Sequence, residues 1–303
     1  MKFIPISPAD YPQLKKHFVH QKYILSSYSL SGICAWNNCA FNNYFSVIDG
    51  GIAVMESHIN NPAQRWLLLP VCPSAEKAPS DLVALVREAG VEEVRFVPND
   101  YVARFGHELE KHFTVTRNDH YDDYIYSRED LSQLKGHKYS KKRNLIKQFE
   151  KEYVLAGRAE VRRIMPEDVP ACRTFLDEWY EHNRLKFADW TDELGCEKNA
   201  LLQTLENFNM LEVKGITVRL DGKISGLAVA SHLTSDMGVL NFEKAFDAVK
   251  GLYQYLDMNS AAMLFDGCSF INKESALGDE GLMRAKHSYH PVQIAPCYTL
   301  RVR

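Results

Sequence analysis

The feature that most constrains the fold of this chain is a short motif that occurs twice. The pattern I-x-P-x-D-x-P is found at residues 6–12 and again at residues 164–170. Each copy follows a short β-like run and leads into a helix-like segment, at residues 13–20 and 171–184. Proline fixes φ and aspartate caps a first helical turn, so the motif predicts the same strand-to-helix turn in both places.

Further matches follow the motif in the same order. Apolar runs flank an Asp-Gly pair at residues 47–52 and 219–224, which predicts a β-hairpin in each half. A strand (66–71, 239–245), a helix (81–89, 252–265) and another strand (94–97, 269–271) come next. The spacing between copies grows from 158 residues at the motif to 172 at the hairpin, so we place an insertion near residues 189–198. These matches predict a tandem duplication of a mixed α/β unit.

The repeat divides the chain into three parts. We predict one domain at residues 1–134, a linker helix at 135–155 and a second domain at 156–303. Large apolar residues recur in the linker at helical spacing: Tyr139, Ile146, Phe149 and Tyr153. Basic residues gather on another side of the same helix: Lys138, Lys141, Lys142 and Arg143. The fold class that follows is α/β with mixed sheets, in two tandem domains joined by a basic amphipathic helix.

Composition narrows the class of protein. The chain has 303 residues, 46% hydrophobic and 25% charged, which is typical of a folded protein with sizeable cores. The net charge is −3, so a polyanion would need a local basic patch. Seven scattered cysteines without a Cys-x-x-Cys pair argue against a disulfide framework or a zinc site and favour a reducing cytoplasm. No apolar run approaches the ~18 residues of a membrane span, and we expect no signal peptide and no metal.

A glycine turn at residues 247–253 follows one predicted strand and begins a predicted helix. Free backbone N–H groups and a helix N-terminus at such a turn would bind the pyrophosphate of a donor. We assign this phosphate site to Lys244, Ala245, Val249, Lys250, Gly251, Leu252 and Tyr253; its role as a donor site is what the family resemblance of the second half implies. The alternative is an ordinary left-handed turn at Gly251. The matching residues of the first half, 70–74, contain prolines, which lack the N–H group, so we expect no donor site there.

Polar residues on either side of this turn are candidates for catalysis. Glu243 would accept a proton from an acceptor amine, a main-chain N–H at the end of its strand would polarise the donor carbonyl, and Tyr289 would protonate the leaving group. Glu274, with Asn272 on the same strand face, would orient an amino group, and Lys286 would bind substrate phosphate. The alternatives are a solvated strand end, a turn network, a buried aromatic ring and a charge at a helix C-terminus. The pair at residues 122–123, between tyrosines, predicts an exposed turn.

Four segments of the second half carry a family resemblance: residues 138–153, 215–244, 250–254 and 271–291. They resemble bacterial proteins built like the C-terminal domain of phosphatidylglycerol lysyltransferase. The last segment is the most specific, with Asn272, Glu274, Gly278, Gly281-Leu282, Lys286, Ser288-Tyr289 and Pro291 at the family's positions. Met283 departs from the expected basic residue, and Ser275-Ala276 from a more polar pair. The family is similar to acyl-CoA N-acyltransferases and Fem peptidyltransferases, so the resemblance implies two tandem GNAT-like folds.

The resemblance implies an N-acyltransferase. Such an enzyme would carry an acyl or aminoacyl group from acyl-CoA or aminoacyl-tRNA to an amine or hydroxyl acceptor. We expect direct attack, because no cysteine or serine sits in an activated setting. Coenzyme A is one expected donor carrier; tRNA, contacting Lys138, Lys141, Lys142 and Arg143, is the other. The alternatives are a non-catalytic GNAT-fold binding module and a cytoplasmic lipid-aminoacylating enzyme, and the sequence does not choose among acceptors or oligomeric states.

Overall fold

Two seven-stranded sheets form the framework of the protein. The structure is a computed structural model that describes residues 1–37, 40–184 and 191–303. Its strands are β1 (Ile4–Pro5), β2 (Phe41–Ile48), β3 (Gly51–His58), β4 (Arg65–Leu67), β5 (Glu93–Pro98), β6 (Phe113–Arg117), β7 (Asp123–Ser127), β8 (Ala159–Arg163), β9 (Lys214–Leu220), β10 (Lys223–Thr234), β11 (Met237–Ala245), β12 (Phe270–Asn272), β13 (Gln293–Ala295) and β14 (Cys297–Val302). Its helices are α1 (Tyr11–Phe18), α2 (Leu30–Ala35), α3 (Pro79–Ala89), α4 (Asn99–His112), α5 (Arg128–Gln133), α6 (Ser140–Phe149), α7 (Val169–Arg184), α8 (Thr191–Glu206), α9 (Leu252–Met263) and α10 (Glu280–His287).

The two sheets have matching strand orders. The first reads β1-β2-β3-β4-β5-β14-β6, and the second, from its other edge inwards, β8-β9-β10-β11-β12-β7-β13. In each sheet the fourth and fifth strands are parallel and the other neighbours antiparallel, which confirms a mixed α/β fold with mixed sheets. The sixth position of each sheet is taken by a strand from the other half of the chain. The sheets thus exchange strands across the predicted boundary at residue 134, and the division into three parts stays a prediction.

The repeated motif has the same local structure in both halves. The main-chain N–H of Ser7 donates to Asp10 Oδ2 at 2.8 Å, and that of Met165 donates to Asp168 Oδ2 at 3.0 Å. Both hairpins have the predicted two-residue turns, since Ile48 pairs with Gly51 and Leu220 pairs with Lys223. The insertion predicted near residues 189–198 lies partly outside the described residues.

The halves pack through one large apolar core and several buried polar contacts. The core combines residues of both sheets, including Ile52, Val97 and Phe242, with residues of helix α7 such as Phe175. Across it, the hydroxyl groups of Ser29 and Ser231 lie 2.8 Å apart. A second core lies between the other face of the second sheet and helix α9. The second sheet is therefore covered on both faces, and the candidate site lies between its central strands and α9.

The predicted linker is helical from Ser140 to Phe149 and continues as a π-helical turn, Glu150–Val154. Its apolar side is buried as expected. Lys138 pairs with Asp130 at 2.8 Å, Lys142 donates to Ser288 Oγ at 2.7 Å, and Arg143 donates to the carbonyl of Gly136 at 2.6 Å. Three of the four basic residues predicted to contact tRNA thus have partners within the protein, while the side chain of Lys141 is exposed.

Two kinds of feature are absent from the described residues. Within residues 1–37, 40–184 and 191–303, no helix is long and apolar enough to cross a bilayer. Across the same ranges, no group of three or more His, Cys, Asp or Glu side chains is arranged to hold a metal ion.

Candidate active site

A gap opens between the two parallel strands at the centre of the second sheet. The register pairs Met237, Gly238 and Val239 of β11 with Phe270, Ile271 and Asn272 of β12. Beyond this point β11 continues to Ala245 alongside β10, whereas the chain after β12 turns away at Glu274, where φ is +59°. The register with β10 shifts between Leu240 and Phe242, which makes residue 241 a β-bulge. The gap therefore lies between residues 240–245 and 273–274.

Glu243 lies in this gap with a lysine and an aspartate that sequence analysis did not select. Lys273 Nζ lies 2.6 Å from Asp257 Oδ1 and 3.4 Å from Glu243 Oε2. The side chains of Glu243, Lys273 and Asp257 are 17%, 13% and 4% exposed, so the group is nearly dry but can still be reached. Within the described part of the chain, Glu243 Oε1 has no hydrogen-bond partner. An unpartnered carboxylate oxygen has capacity for a further hydrogen bond, which a donor group that entered the gap would supply.

Burial gives this group unusual proton affinities. It raises the pKa of Glu243 to about 7, and Asp257 adds to the rise while Lys273 opposes it. Burial disfavours the Lys273 ammonium, but the charges of Asp257 and Glu243 outweigh it and raise the pKa of Lys273 above its ordinary value. At neutral pH the Lys273 side chain therefore stays charged, while Glu243 exchanges a proton readily. A residue with a pKa near the working pH is suited to general acid–base catalysis.

Asn272, Glu274 and Lys286 form a second polar group beside the first. Asn272 Nδ2 donates to Asp123 Oδ2 at 2.7 Å, and Asn272 Oδ1 accepts from the Glu274 N–H at 2.6 Å. Lys286 Nζ donates to the carbonyl of Glu274 at 2.9 Å and also to the carbonyl of Lys273. Burial raises the pKa of Glu274 to about 8 and lowers that of Lys286 to about 8. Asn272 is fully buried, so its contacts fit the turn network that was the alternative to substrate binding.

Tyr289 lies against the same lysines. Its ring centroid is 3.9 Å from Lys142 Nζ and 5.1 Å from Lys273 Nζ. Burial, followed by the charges of Asp257 and Glu243, raises the pKa of Tyr289 well above its ordinary value, so the phenol stays protonated at neutral pH. The structure therefore places Glu243, Glu274 and Tyr289 around Lys273 and Lys286, and their catalytic roles stay a prediction.

Lys244 lies on the opposite face of the sheet from Glu243, because successive residues of a strand point to opposite faces. Its ammonium is 2.7 Å from Glu197 Oε1 and 4.7 Å from the Trp179 ring centroid. Trp179 Nε1 donates to the Ala245 carbonyl at 2.8 Å. The Tyr253 hydroxyl lies beside the Ala245 main chain and the Trp179 side chain. Burial raises the pKa of Tyr253 to about 12. Three residues of the predicted donor site, Lys244, Ala245 and Tyr253, thus contact an aromatic cluster that packs against the end of strand β11.

The glycine turn itself packs against the linker helix. Gly251 has φ +84°, and a Cβ atom there would overlap the carbonyl oxygen of Leu145. Ala245 and Leu252 are buried in the second core, Val249 packs against it, and Lys250 is exposed. The close approach of helix α6 accounts for the glycine without a ligand, and a donor phosphate at this turn stays a prediction.

We expect Gly251→Ala to lower the free energy of unfolding by about 2–3 kcal/mol, measured by urea denaturation. The change adds a steric overlap to a left-handed φ. Gly222→Ala is the matched control, since Gly222 has φ +83° but open space around it. That variant should lose only about 1 kcal/mol. Equal losses in the two variants would show that helix α6 yields to the added methyl group.

The raised carboxyl pKa values predict a pH dependence of stability. Because the folded pKa of Glu243 is about 7 and its ordinary value is 4.5, its contribution is complete below pH 4.5 and is lost as the pH rises through 7. The free energy of unfolding of the wild type should therefore fall between pH 5 and pH 8. Glu243→Gln should reduce that fall by on the order of 2 kcal/mol in urea denaturation at the two pH values. Exposed Glu280→Gln should leave it unchanged, and an unchanged fall in Glu243→Gln would contradict the assignment.

The chain belongs to the family of phosphatidylglycerol lysyltransferase C-terminal domains, whose model matches residues 25–301. This confirms the resemblance seen in the sequence. A crystal structure of a conserved protein of unknown function from Bacteroides thetaiotaomicron superposes with a TM-score of 0.89 at 27% identity, covering 100% of both chains. The C-terminal domain assigned to a lysylphosphatidylglycerol synthetase from Agrobacterium fabrum superposes with a TM-score of 0.67 at 15% identity, over 97% of this chain and 92% of that one. No curated protein sequence matches the chain.

Sequence reasoning missed Lys273 and Asp257, although each carries a signal. Lys273 stands between two selected residues, and Asp257 is an acid in the middle of the largely apolar helix α9. The prediction of an exposed turn at residues 122–123 was wrong, since Asp122 and Asp123 are both buried. Asp122 accepts from the Cys297 N–H at 3.0 Å and Asp123 from the Ser26 N–H at 2.5 Å. These carboxylates receive donors from distant parts of the chain, which short-range patterns do not reveal.

Proposed function

We propose that this chain is an acyltransferase that moves an acyl or aminoacyl group to an amine or hydroxyl acceptor by direct attack. The observation that carries the proposal is Glu243, which has a pKa of about 7 and an unpartnered oxygen in the gap between β11 and β12. Membership of a family named for a lysyltransferase supports it. The two tandem GNAT-like units, the linker helix and the cytoplasmic location are part of the same proposal, and the matching strand orders support the duplication.

The proposed chemistry needs three groups. Glu243 accepts the proton of the acceptor as its nitrogen or oxygen attacks the donor carbonyl. The main chain around the bulge at residue 241 supplies an N–H to the developing oxyanion, because β12 no longer pairs with β11 there. Tyr289 gives a proton to the leaving oxygen or sulfur, and Glu243 returns one to Tyr289 through solvent. One acyl bond breaks and one forms, and no oxidant or covalent enzyme intermediate is needed.

The charge of the site favours an aminoacyl donor over acyl-CoA. Four carboxyl groups, those of Asp123, Glu243, Asp257 and Glu274, surround the two ammonium groups of Lys273 and Lys286. An incoming ammonium would lower the raised pKa values of Glu243 and Glu274 and pair with their charged forms, whereas the phosphates of coenzyme A would gain no such pairing. A tRNA carrier would meet Lys141 on the exposed side of α6, since Lys138, Lys142 and Arg143 have partners within the protein. Lysine as the aminoacyl group and phosphatidylglycerol as the acceptor follow from the family's name.

The second candidate is a non-catalytic binding module. The observation that favours it is the glycine turn, because Gly251 packs against Leu145 and Lys244 pairs with Glu197. In that case the groups assigned to donor phosphates would serve only to hold the fold. The module would keep the cluster around Lys273 for binding a cationic ligand.

Calorimetric titration separates these possibilities. The probes are coenzyme A and a stable mimic of a charged tRNA end, lysine joined by an amide bond to 3′-amino-3′-deoxyadenosine. We expect the lysyl probe to bind, Asp257→Asn to weaken it at least about tenfold through loss of a charge pairing, and Lys250→Ala to leave it unchanged. Binding of coenzyme A that depends on Lys250 would reverse the choice of donor. If neither probe binds the wild type, the acyltransferase proposal fails.

A further inference from the structure

The first sheet contains a counterpart of the gap in the second sheet. Its parallel strands β4 and β5 pair at Leu67 and Val94. Two residues beyond Val94 the chain takes a left-handed conformation at Phe96, with φ +54°. Glu274, two residues beyond the last paired residue of β12, has φ +59°. The same backbone turn thus opens the same parallel pair in both sheets.

Tyr28 fills the gap in the first sheet. Its side chain is 1% exposed, and its ring packs against that of Tyr23 with the centroids 4.6 Å apart. The phenol oxygen accepts from the Leu69 N–H at 3.1 Å and donates to the Phe96 carbonyl at 3.1 Å. One hydroxyl therefore joins the main chains of the two diverging strands.

The strand register relates this contact of Tyr28 to the candidate site in the second sheet. Leu69 lies two residues beyond the last paired residue of β4, just as residue 241 lies two beyond Val239 in β11. The Leu69 N–H therefore occupies the position that, in the second sheet, we assigned to the donor that binds the substrate's carbonyl oxygen. In the first sheet that N–H binds the oxygen of Tyr28 instead.

We propose that Tyr28 is a built-in occupant of the first half's counterpart of the acyl site, and that this half holds a closed binding site for a phenol-sized ligand with one hydroxyl. The name "acyl site" rests on the proposed function, but the site itself does not. With Tyr28 in place, the gap between β4 and β5 is filled. Without the ring, the Leu69 N–H and the Phe96 carbonyl face an empty cavity, which a hydroxylated aromatic molecule would satisfy better than an apolar one.

Ligand rescue of Tyr28→Ala tests this proposal. The variant should unfold at a Tm lowered by about 5–10 °C. Millimolar p-cresol should restore several degrees (about 3–5 °C), and toluene, which has the same shape without the hydroxyl, clearly less. Phe113→Ala is the matched control, because Phe113 is equally buried but apolar, so there toluene should stabilise at least as well as p-cresol. Equal rescue of Tyr28→Ala by the two ligands, or none, overturns the proposal.

A second variant keeps the test decisive if Tyr28→Ala does not fold. Tyr28→Phe retains the ring and removes only the bridging oxygen. The Leu69 amide should then lose hydrogen-exchange protection, by at least tenfold, while amides of the second sheet keep theirs. Unchanged protection at Leu69 would show that the hydroxyl does not hold the gap. Neither experiment uses an acyl donor, so their failure is distinct from failure of the proposed enzymatic function.

Discussion

Replacing Glu243 by glutamine should lower kcat/KM for acyl transfer by about 10²–10⁴-fold. Glutamine keeps the shape of the side chain and removes the group that accepts the acceptor's proton. The reaction to measure is transfer of a radiolabelled aminoacyl group from charged tRNA to a hydroxyl or amine acceptor. In the wild type, kcat/KM should rise with pH through about 7, because the pKa of Glu243 is about 7 and only its charged form accepts a proton.

The matched control is Glu280→Gln at the start of helix α10, whose side chain is 86% exposed and pairs with Arg284 in the following turn. That variant should keep the rate and the pH profile of the wild type. A Glu243→Gln enzyme with near-normal kcat/KM, or with an unchanged rise near pH 7, would remove Glu243 from the mechanism. Loss of activity with loss of folding would be recognised by circular dichroism at the assay temperature.

Lys273→Met should destabilise the protein by about 3–5 kcal/mol. The ammonium of Lys273 neutralises Asp257 at 2.6 Å and Glu243 at 3.4 Å in a nearly dry site. Methionine fills a similar volume but leaves two buried carboxyl groups without their nearest counter-charge, and the unfolded state hydrates them freely. Urea denaturation at pH 7 measures the loss.

Two further variants identify the cause. Lys141→Met removes an exposed lysine from helix α6 and should change stability by less than about 0.5 kcal/mol. The double variant Lys273→Met, Asp257→Asn removes the cation together with its nearest anion and should recover much of the loss. If the double variant is as unstable as Lys273→Met, packing of the lysine stem rather than its charge holds the cluster.

Local patterns were sufficient for much of the fold. The two Asp-Gly pairs predicted both hairpins, because a two-residue turn with left-handed backbone is decided by the residues within it. The capping aspartates of the repeated motif predicted both helix starts for the same reason. The motif at residues 271–291 indicated the family, and Glu243, Glu274 and Tyr289 do lie around the same lysines.

Long-range contacts decided the rest. By itself the sequence determined the repeated motif, both hairpins and the family, since these depend on neighbouring residues and on side-chain period. Only the tertiary structure decided that β7 and β14 exchange sheets, that Lys273 meets Asp257, and that Gly251 packs against helix α6. The tertiary structure also decided the pKa of Glu243. It depends on dehydration and on charges brought from separate strands and helices, and such distances exist only once the chain has folded.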